Sequence, residues 1–491
     1  MVYDSFLKYL MFGRVSFSSQ EPPQVLPAVP YIGHLIGIFW YKNFYYTKLS
    51  KKFRLPIIKL PILGGQLYIV NSPKLIAAIE RRPNTVSFWH IEANAIGRIA
   101  GLDRDAVNTV TLGVGDDTNS FWLKGLRAIH YAMVPGEGVN DMLLKAAQVS
   151  ANSLRQFDSQ SGAMRADLWK WITYEITLSH TDVVYGHRNP YRNPEVEAAF
   201  WDFAQGAWKL LLGKYSKFLA PSSYKGREKV VSAFKDYFGT SDPQSTSPLM
   251  EARTANVAIL GTEGMARMEC VNGLAILVNT VPSAFWTIVQ IYSNSQLLQR
   301  VRDLANAALT KEHVAGVKRS KINILKIQQS LEIQSIIQEV IRLRTTGIGP
   351  RLVREDVVLH EQYLLKKGST VIIPNRAIHF DERTWGESVD IFDKNRFNKS
   401  SNKAKVPPVA YRGFGGGATI CPGKHFAIEG IAVFTALFTL KYDLRPLQRD
   451  WSDLEQDMRD MSLQLGSPNG RFLVDVVPCK SVLDSEWCFE L

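Results

Sequence analysis

The chain has 491 residues, 46% of them hydrophobic and 21% charged, with a formal net charge of +12. That length and apolar content suffice for a large buried core, and no low-complexity tract or block of like charge stands out, which excludes a disordered or fibrous protein. The basic residues are scattered and not interleaved with stacking aromatics, so no nucleic acid is expected as a partner; an acidic protein or a membrane surface fits the charge better.

Residues 1–19 are expected to form an N-terminal tail. Its apolar stretch is too short and too interrupted to span a bilayer. Either it lies in the membrane interface, with Phe6, Leu7, Leu10 and Met11 facing lipid, or it packs on the protein surface. Prolines punctuate residues 20–35, which read as a stiff, non-helical connector. In 55–70 two β-rich runs flank Gly64-Gly65, the pattern of a hairpin. Asn71-Ser72-Pro73 then caps a helix.

From about 140 to 345 the pattern is mostly helical. The stretch VNGLAILVNTVPSAFWTIV (271–289) is long and apolar enough for a membrane span. Asn272, Asn279, Thr280 and Pro282 lie in its middle, however, where hydrocarbon would penalise them. A long buried helix with a polar interruption is therefore expected. A second helix over 330–345 places Leu331, Ile333, Ile336, Ile337, Val340 and Ile341 broadly on one side. Residues 351–374 alternate in the strand manner about a turn at Lys367-Gly368, and 461–478 read as a hairpin turned at Pro468-Asn469-Gly470. Helices early and in the middle, with small sheets at both ends, predict a mostly α (α+β) architecture.

Four cysteines, Cys270, Cys421, Cys479 and Cys488, show no CxxC spacing. That argues against a disulfide scaffold or structural zinc and points to a reducing compartment. Cys421 stands apart by its surroundings. Phe414, Gly417, Cys421 and Gly423 form FxxGxxxCxG in FGGGATICPGKHF, directly before an apolar helix. Four fixed residues in that order arise by chance in roughly one chain per thousand of this length, so an inert cysteine in a glycine-rich turn is the weaker alternative. A helix N-terminus stabilises a thiolate through free N–H groups and its dipole. Glycines at 415, 416, 417 and 423 let backbone lie flat against a large planar ligand and take positive φ. Pro422 has no N–H, so other amides must donate to the sulfur. A thiolate on haem iron favours O–O cleavage.

This loop resembles the haem-binding loop of cytochromes P-450. ATICPG and FAIEGI are especially similar to the branch containing the sterol 7α-hydroxylases and prostacyclin synthase. Glu339-Val340-Ile341-Arg342 matches that family's ExxR, and KNRF (394–397) stands where PERF is usual, so that Arg396 would complete a Glu339–Arg342–Arg396 network. The interrupted helix resembles the long central helix over the haem. The resemblance covers nearly the whole chain beyond the tail. It implies the cytochrome P-450 fold, a helix-rich single domain with small β-sheets over residues 20–491. It also implies heme b (iron protoporphyrin IX), with Cys421 as the iron's axial ligand.

Departures from the family pattern bear on chemistry. Most members carry Ala/Gly-Gly-x-Asp/Glu-Thr on the central helix; here the residues are Ile276-Leu277-Val278-Asn279-Thr280. The resemblance places Thr280 and Asn279 at the oxygen-activating centre, but Asn279 can exchange hydrogen bonds without delivering a proton by titration. Pro282 removes one helix hydrogen bond, which either frees the Val278 carbonyl for solvent or ligand or serves packing alone. Thr419 stands where most members pair a haem propionate with arginine or histidine. Arg351 aligns with another propionate ligand, and Arg127 is a further candidate with Lys124 as its rival.

By family position, a loop from Trp89 to Thr111 and the segment 199–215 line the substrate cavity, where Trp201, Phe203, Trp208 and Leu277 suggest an apolar chamber. The expected function is oxidation of a lipophilic substrate (a sterol, terpenoid or related natural product) by O2. Electrons are expected from NADPH-cytochrome P-450 reductase, docked near Lys424, Lys403 and Lys405. The expected location is the cytoplasmic face of the endoplasmic reticulum membrane, peripherally attached. A reductase-independent isomerase, dehydratase or cyclase is the alternative. A haem sensor or carrier is a third reading, against which the break at Asn279-Thr280 argues.

Overall fold

The computed structural model describes residues 14–17, 20–116, 119–155, 164–239, 247–314, 317–398, 406–459, 461, 464–479 and 486–491. Phe6, Leu7, Leu10, Met11, Lys403 and Lys405, named above, lie outside them.

Helices dominate, and several of them pack into one central apolar cluster. The central helix runs from Gly261 to Leu277, breaks at Val278-Asn279, and resumes from Thr280 to Tyr292. Its second half buries Val281, Phe285, Trp286 and Ile288 against Ile336 and Ile337 of the helix Leu331–Arg344. The same cluster takes in Phe434 and Phe438 of the helix Lys424–Lys441, and Ile172 and Ile176 of Leu168–Tyr185. Each such side chain contributes about 1.5–3 kcal/mol by leaving water. Among the described residues, the helical stretch Pro248–Tyr292 is long and apolar enough to cross a membrane, and 72% of its apolar part is buried inside the protein. It is a core helix.

A second layer is a seven-stranded sheet. Its hairpin pairs Ile57–Ile62 with Gly65–Val70 across Gly64, whose φ of +83° is open to glycine at no steric cost. The strand Thr370–Pro374 lies parallel to Gly65–Val70 and antiparallel to Ile348–Val353, which sets Arg351 opposite Val371.

Several local expectations need correction. The connector 20–35 contains a strand, Gln24–Leu26, and its last residues begin the helix Gly33–Tyr41. Trp89 to Thr111 is not a loop but two helices, Trp89–Ala100 and Arg104–Thr111, the second capped by the Asp103 carboxylate accepting from the Ala106 amide at 2.8 Å. Leu331 is 46% exposed, because it sits at the first helical position, just past the Ser330 cap, and faces solvent. The region read as helical also holds a hairpin of Leu309–Val314 and Val317–Asn323, joined in parallel by Glu486–Glu490.

Of the hairpin expected at 461–478, only Leu473–Pro478 is a strand among the described residues. It pairs with Tyr442–Pro446 and Met164–Asp167 instead of folding back on itself. Gly470 does turn the chain, with φ +78°. The arm before it spends its backbone groups elsewhere: Leu465 bridges Thr345, and the Ser467 carbonyl accepts from the Asp457 amide at 2.7 Å.

Candidate active site

The cysteine loop is closed at its neck by the Cys421 amide donating to the Phe414 carbonyl at 2.9 Å, and Phe414 is fixed against the central core. Gly415 and Gly417 take φ of +75° and +57°. Gly416 and Gly417 are also tight against neighbours from elsewhere in the chain. A Cβ on Gly416 would stand 2.4 Å from both Arg412 Nη1 and Glu80 Oε1, and one on Gly417 would stand 2.8 Å from Glu80 Cβ. Gly423 alone keeps an open side, for the nearest atom to a Cβ there is Cys421 Sγ at 3.9 Å.

The helix Lys424–Lys441 starts immediately after Gly423, and its Lys424 amide donates to the Cys421 carbonyl at 3.4 Å. Cys421 is exposed in surface area, yet enough protein surrounds the sulfur for desolvation to raise its pKa. The Gly423 amide and the Lys424 ammonium oppose that shift without cancelling it. With Pro422 unable to donate, Gly423 supplies the amide.

Behind the loop, Glu339 and Arg342 form a bidentate pair at 2.7 and 2.9 Å, both fully buried. Arg396 Nε donates to Glu339 Oε1 at 2.9 Å, and its Nη2 donates to the Ser388 carbonyl at 2.8 Å. The network continues towards the cysteine loop through His379, a residue the sequence did not single out. Arg342 Nη1 donates to the His379 carbonyl at 2.7 Å, and the Arg412 amide donates to His379 Nε2 at 2.7 Å. The ring is therefore neutral, with Nδ1–H donating to the Arg342 carbonyl at 3.0 Å.

Burial first, then Arg342, lowers the His379 pKa from 6.5 to about 3. A histidine whose folded pKa is depressed contributes full stability above pH 6.5 and loses it as pH falls towards 3. The loss approaches ~1.4 kcal/mol per pH unit across that window. His180, also buried and lowered to about 4, acts in the same sense. The thermal midpoint is accordingly expected to drop steeply below pH 6, and a His379→Asn protein to lose part of that slope. Identical slopes in the two proteins would place the acid sensitivity elsewhere.

Arg351 reaches the same loop from the sheet. Its Nη2 donates to Thr419 Oγ1 at 2.8 Å, and its guanidinium stacks 4.9 Å over the Phe88 ring. Thr419, noted above as a departure from the family pattern, thus binds an arginine that comes from the sheet. Burial and then the nearby Arg412 lower the Arg351 pKa to about 10, which leaves it cationic at neutral pH; Glu80 and Glu92 act against that shift. Sequence reading missed Arg412, buried and paired with Glu80 at 2.6 Å, and its Nε is without a partner among the described residues. It also missed Glu92, which accepts from Trp122 Nε1 at 3.0 Å and is pushed up to about 7 by desolvation. Arg127 and Lys124 are exposed on the helix Phe121–Ala132, from which Trp122 is the residue that reaches Glu92.

At the central break, Thr280 Oγ1 donates to the Ile276 carbonyl at 2.7 Å, and Ser283 Oγ donates to the Asn279 carbonyl at 2.6 Å. Pro282 cannot donate, so the Val278 carbonyl loses its usual helical partner. Asn279 Oδ1 accepts from the Gln464 amide at 3.0 Å. Phe203, Leu277 and Val278 pack in one apolar cluster with Phe426, which follows the cysteine loop; Trp201 lies at its margin, and Trp208 is half-buried.

A group that fits these residues must offer a metal to a thiolate, a flat face to Gly423 and an anionic edge to Arg351 and the unpaired Arg412 N–H. Haem has all three, and fold and site together define a haem-thiolate enzyme. Comparison with known proteins agrees. The family model for cytochrome P-450 matches residues 278–474. A cytochrome P-450 monooxygenase of Hypoxylon pulicicidum, nodJ, is 32% identical over 499 residues, spanning 98% of this chain and 95% of that protein. A cytochrome P-450 monooxygenase of Gibberella zeae is 25% identical, over 88% of this chain and 83% of its own length. Cholesterol 7-alpha-monooxygenase of Cricetulus griseus is 27% identical over 248 residues, 46% of this chain and 48% of that protein. The chain belongs to the cytochrome P-450 family. Membership implies a haem cofactor, O2, a redox partner and a lipophilic substrate.

Proposed function

We propose that the protein is a reductase-dependent monooxygenase. One atom of O2 enters a sterol, terpenoid or related natural product, and the other leaves as water after taking up two protons together with two electrons from NADPH. The electrons come through NADPH-cytochrome P-450 reductase. Heme b on Cys421 supplies the oxygen-activating chemistry. Phe414, Gly417 and Gly423 shape the loop beneath it, while Arg351, with Arg127 as a further candidate, holds its carboxylates. Glu339, Arg342 and Arg396 hold the loop's support in place, and residues 20–491 act as one catalytic domain.

The observation that carries this reading is Thr280. Its hydroxyl is retained at the break of the central helix and held 2.7 Å from the Ile276 carbonyl, one residue beyond Asn279. A hydroxyl there can take a proton from water and pass it on within the site where O2 would be reduced, whereas an amide at 279 cannot titrate. Apolar packing of Phe203, Leu277 and Val278 beside the break favours a lipophilic substrate and keeps bulk water away.

Peripheral attachment to the endoplasmic reticulum membrane is supported by exposed apolar side chains on two neighbouring segments. Phe39 (70% exposed) and Trp40 lie on the helix Gly33–Tyr41, and Leu212, Tyr215 and Phe218 (84% exposed) lie within 207–219. Lys42 joins the two segments, its ammonium 4.5 Å from the Phe39 ring and 5.6 Å from the Trp208 ring.

The test is Thr280→Ala assayed with NADPH and reductase. Product formed per NADPH is expected to fall roughly tenfold, with reduced oxygen released as peroxide, and Thr280→Ser to restore coupling. Unchanged coupling in Thr280→Ala removes the proton role. Turnover without NADPH and reductase overturns the monooxygenase reading in favour of an isomerase.

A further inference from the structure

Gln464 is bonded through every polar group it has. Its amide donates to Asn279 Oδ1 at 3.0 Å, and its carbonyl accepts from the Thr346 and Gly347 amides at 2.7 and 3.1 Å. Its Oε1 accepts from Asn375 Nδ2 at 3.0 Å, and its Nε2 donates to the Ile348 carbonyl at 3.3 Å. A Cβ at Gly347 would lie 2.0 Å from Gln464 Oε1, so a larger residue there would push the Gln464 side chain out of these bonds. Two residues on, the Gly466 carbonyl accepts from Trp286 Nε1 at 2.9 Å, and Arg344 lies 3.9 Å over that indole.

Three elements therefore meet at one residue: the break of the central helix, the exit of the Glu339 helix, and the start of the strand that carries Arg351. Thr280 and Arg351 belong to different layers of the fold, and Gln464 ties the residue before Thr280 to the residues that lead into Arg351. A carboxamide at 279 serves this purpose as an acceptor, with no titration involved.

We propose that Gln464 and Asn279 form a clamp that fixes the spacing between the central-helix break and the strand bearing Arg351. Asn279 is then a positioning residue, and the clamp determines how large a ligand the site admits. This rests on the haem-thiolate reading above.

The test titrates purified holoenzyme with imidazole and with 4-phenylimidazole, followed by absorbance, and compares the ratio of the two dissociation constants. Asn279→Ala and Gln464→Ala are each expected to shift the ratio about fivefold in favour of the bulkier ligand, the scale of one lost hydrogen bond. Asn279→Asp keeps the acceptor and is expected to stay within about twofold of the unaltered enzyme. An unchanged ratio in both alanine variants, or a shift in Asn279→Asp as large as in Asn279→Ala, overturns the clamp. The reduced carbon monoxide spectrum separates the two levels: absence of the thiolate band in the unaltered protein refutes the haem-thiolate reading, whatever the ratios do.

Discussion

Replacing Cys421 by serine is expected to remove the thiolate-type band from the reduced carbon monoxide spectrum and to lower turnover by at least ~1000-fold, about 4 kcal/mol of barrier. The loop itself should survive the change. Its neck is a backbone bond from residue 421 to Phe414, and its curvature comes from Gly415 and Gly417 at positive φ, none of which needs sulfur. What disappears is the anionic ligand. A serine hydroxyl beside the Gly423 amide stays protonated, and it donates far less electron density to a metal than a thiolate does. On the proposed reading Arg351, with Arg412 beside it, would still face the cofactor's anionic edge, so the variant is expected to retain part of its haem. A normal band with normal turnover in Cys421→Ser would end the assignment of Cys421 as ligand.

The second large effect concerns Glu339. Its carboxylate is fully buried and accepts from Arg342, from Arg396 and from the Asp393 amide. Glu339→Ala leaves two cations facing each other out of water, at a cost of ~3–5 kcal/mol. That is a large part of the ~5–15 kcal/mol that holds a typical domain together. The expected outcome is little haem incorporation and an aggregation-prone chain. The double variant Glu339→Leu, Arg342→Met removes both buried charges and is expected to recover part of the loss, because Arg396 still has the Trp385 and Ser388 carbonyls to bond. Haem content and unfolding midpoints measure this. A double variant as unstable as Glu339→Ala would show that the cost lies in lost packing and not in stranded charge.

The parts of this site that were legible in the sequence are those written over short spans. Phe414, Cys421 and the loop's glycines occupy a ten-residue run, Glu339 and Arg342 are one helical turn apart, and the polar break in an apolar helix is visible as composition. The parts that escaped are joined only by folding. Glu80 and Arg412 meet across 332 residues, and Asn279 and Gln464 across 185. Neither pair has a spacing to read.

Strands show the same division. Alternation marked Leu473–Pro478 correctly as extended but did not name Tyr442–Pro446 and Met164–Asp167 as its partners, since register over long separations is set by which faces must be buried together. The helices within 89–111 did carry a local signal, the Asp103 cap.

The contact of Glu80 with Gly416 and Gly417 has a bearing on how the enzyme matures. The turn's own backbone bond and glycines set its curvature, but its outer side is completed only when Glu80 docks from far along the chain. Closing a loop of 332 residues costs about 5 kcal/mol of chain entropy. That cost falls on the step that completes the nest, so haem capture is expected to follow docking of Glu80 and not to precede it.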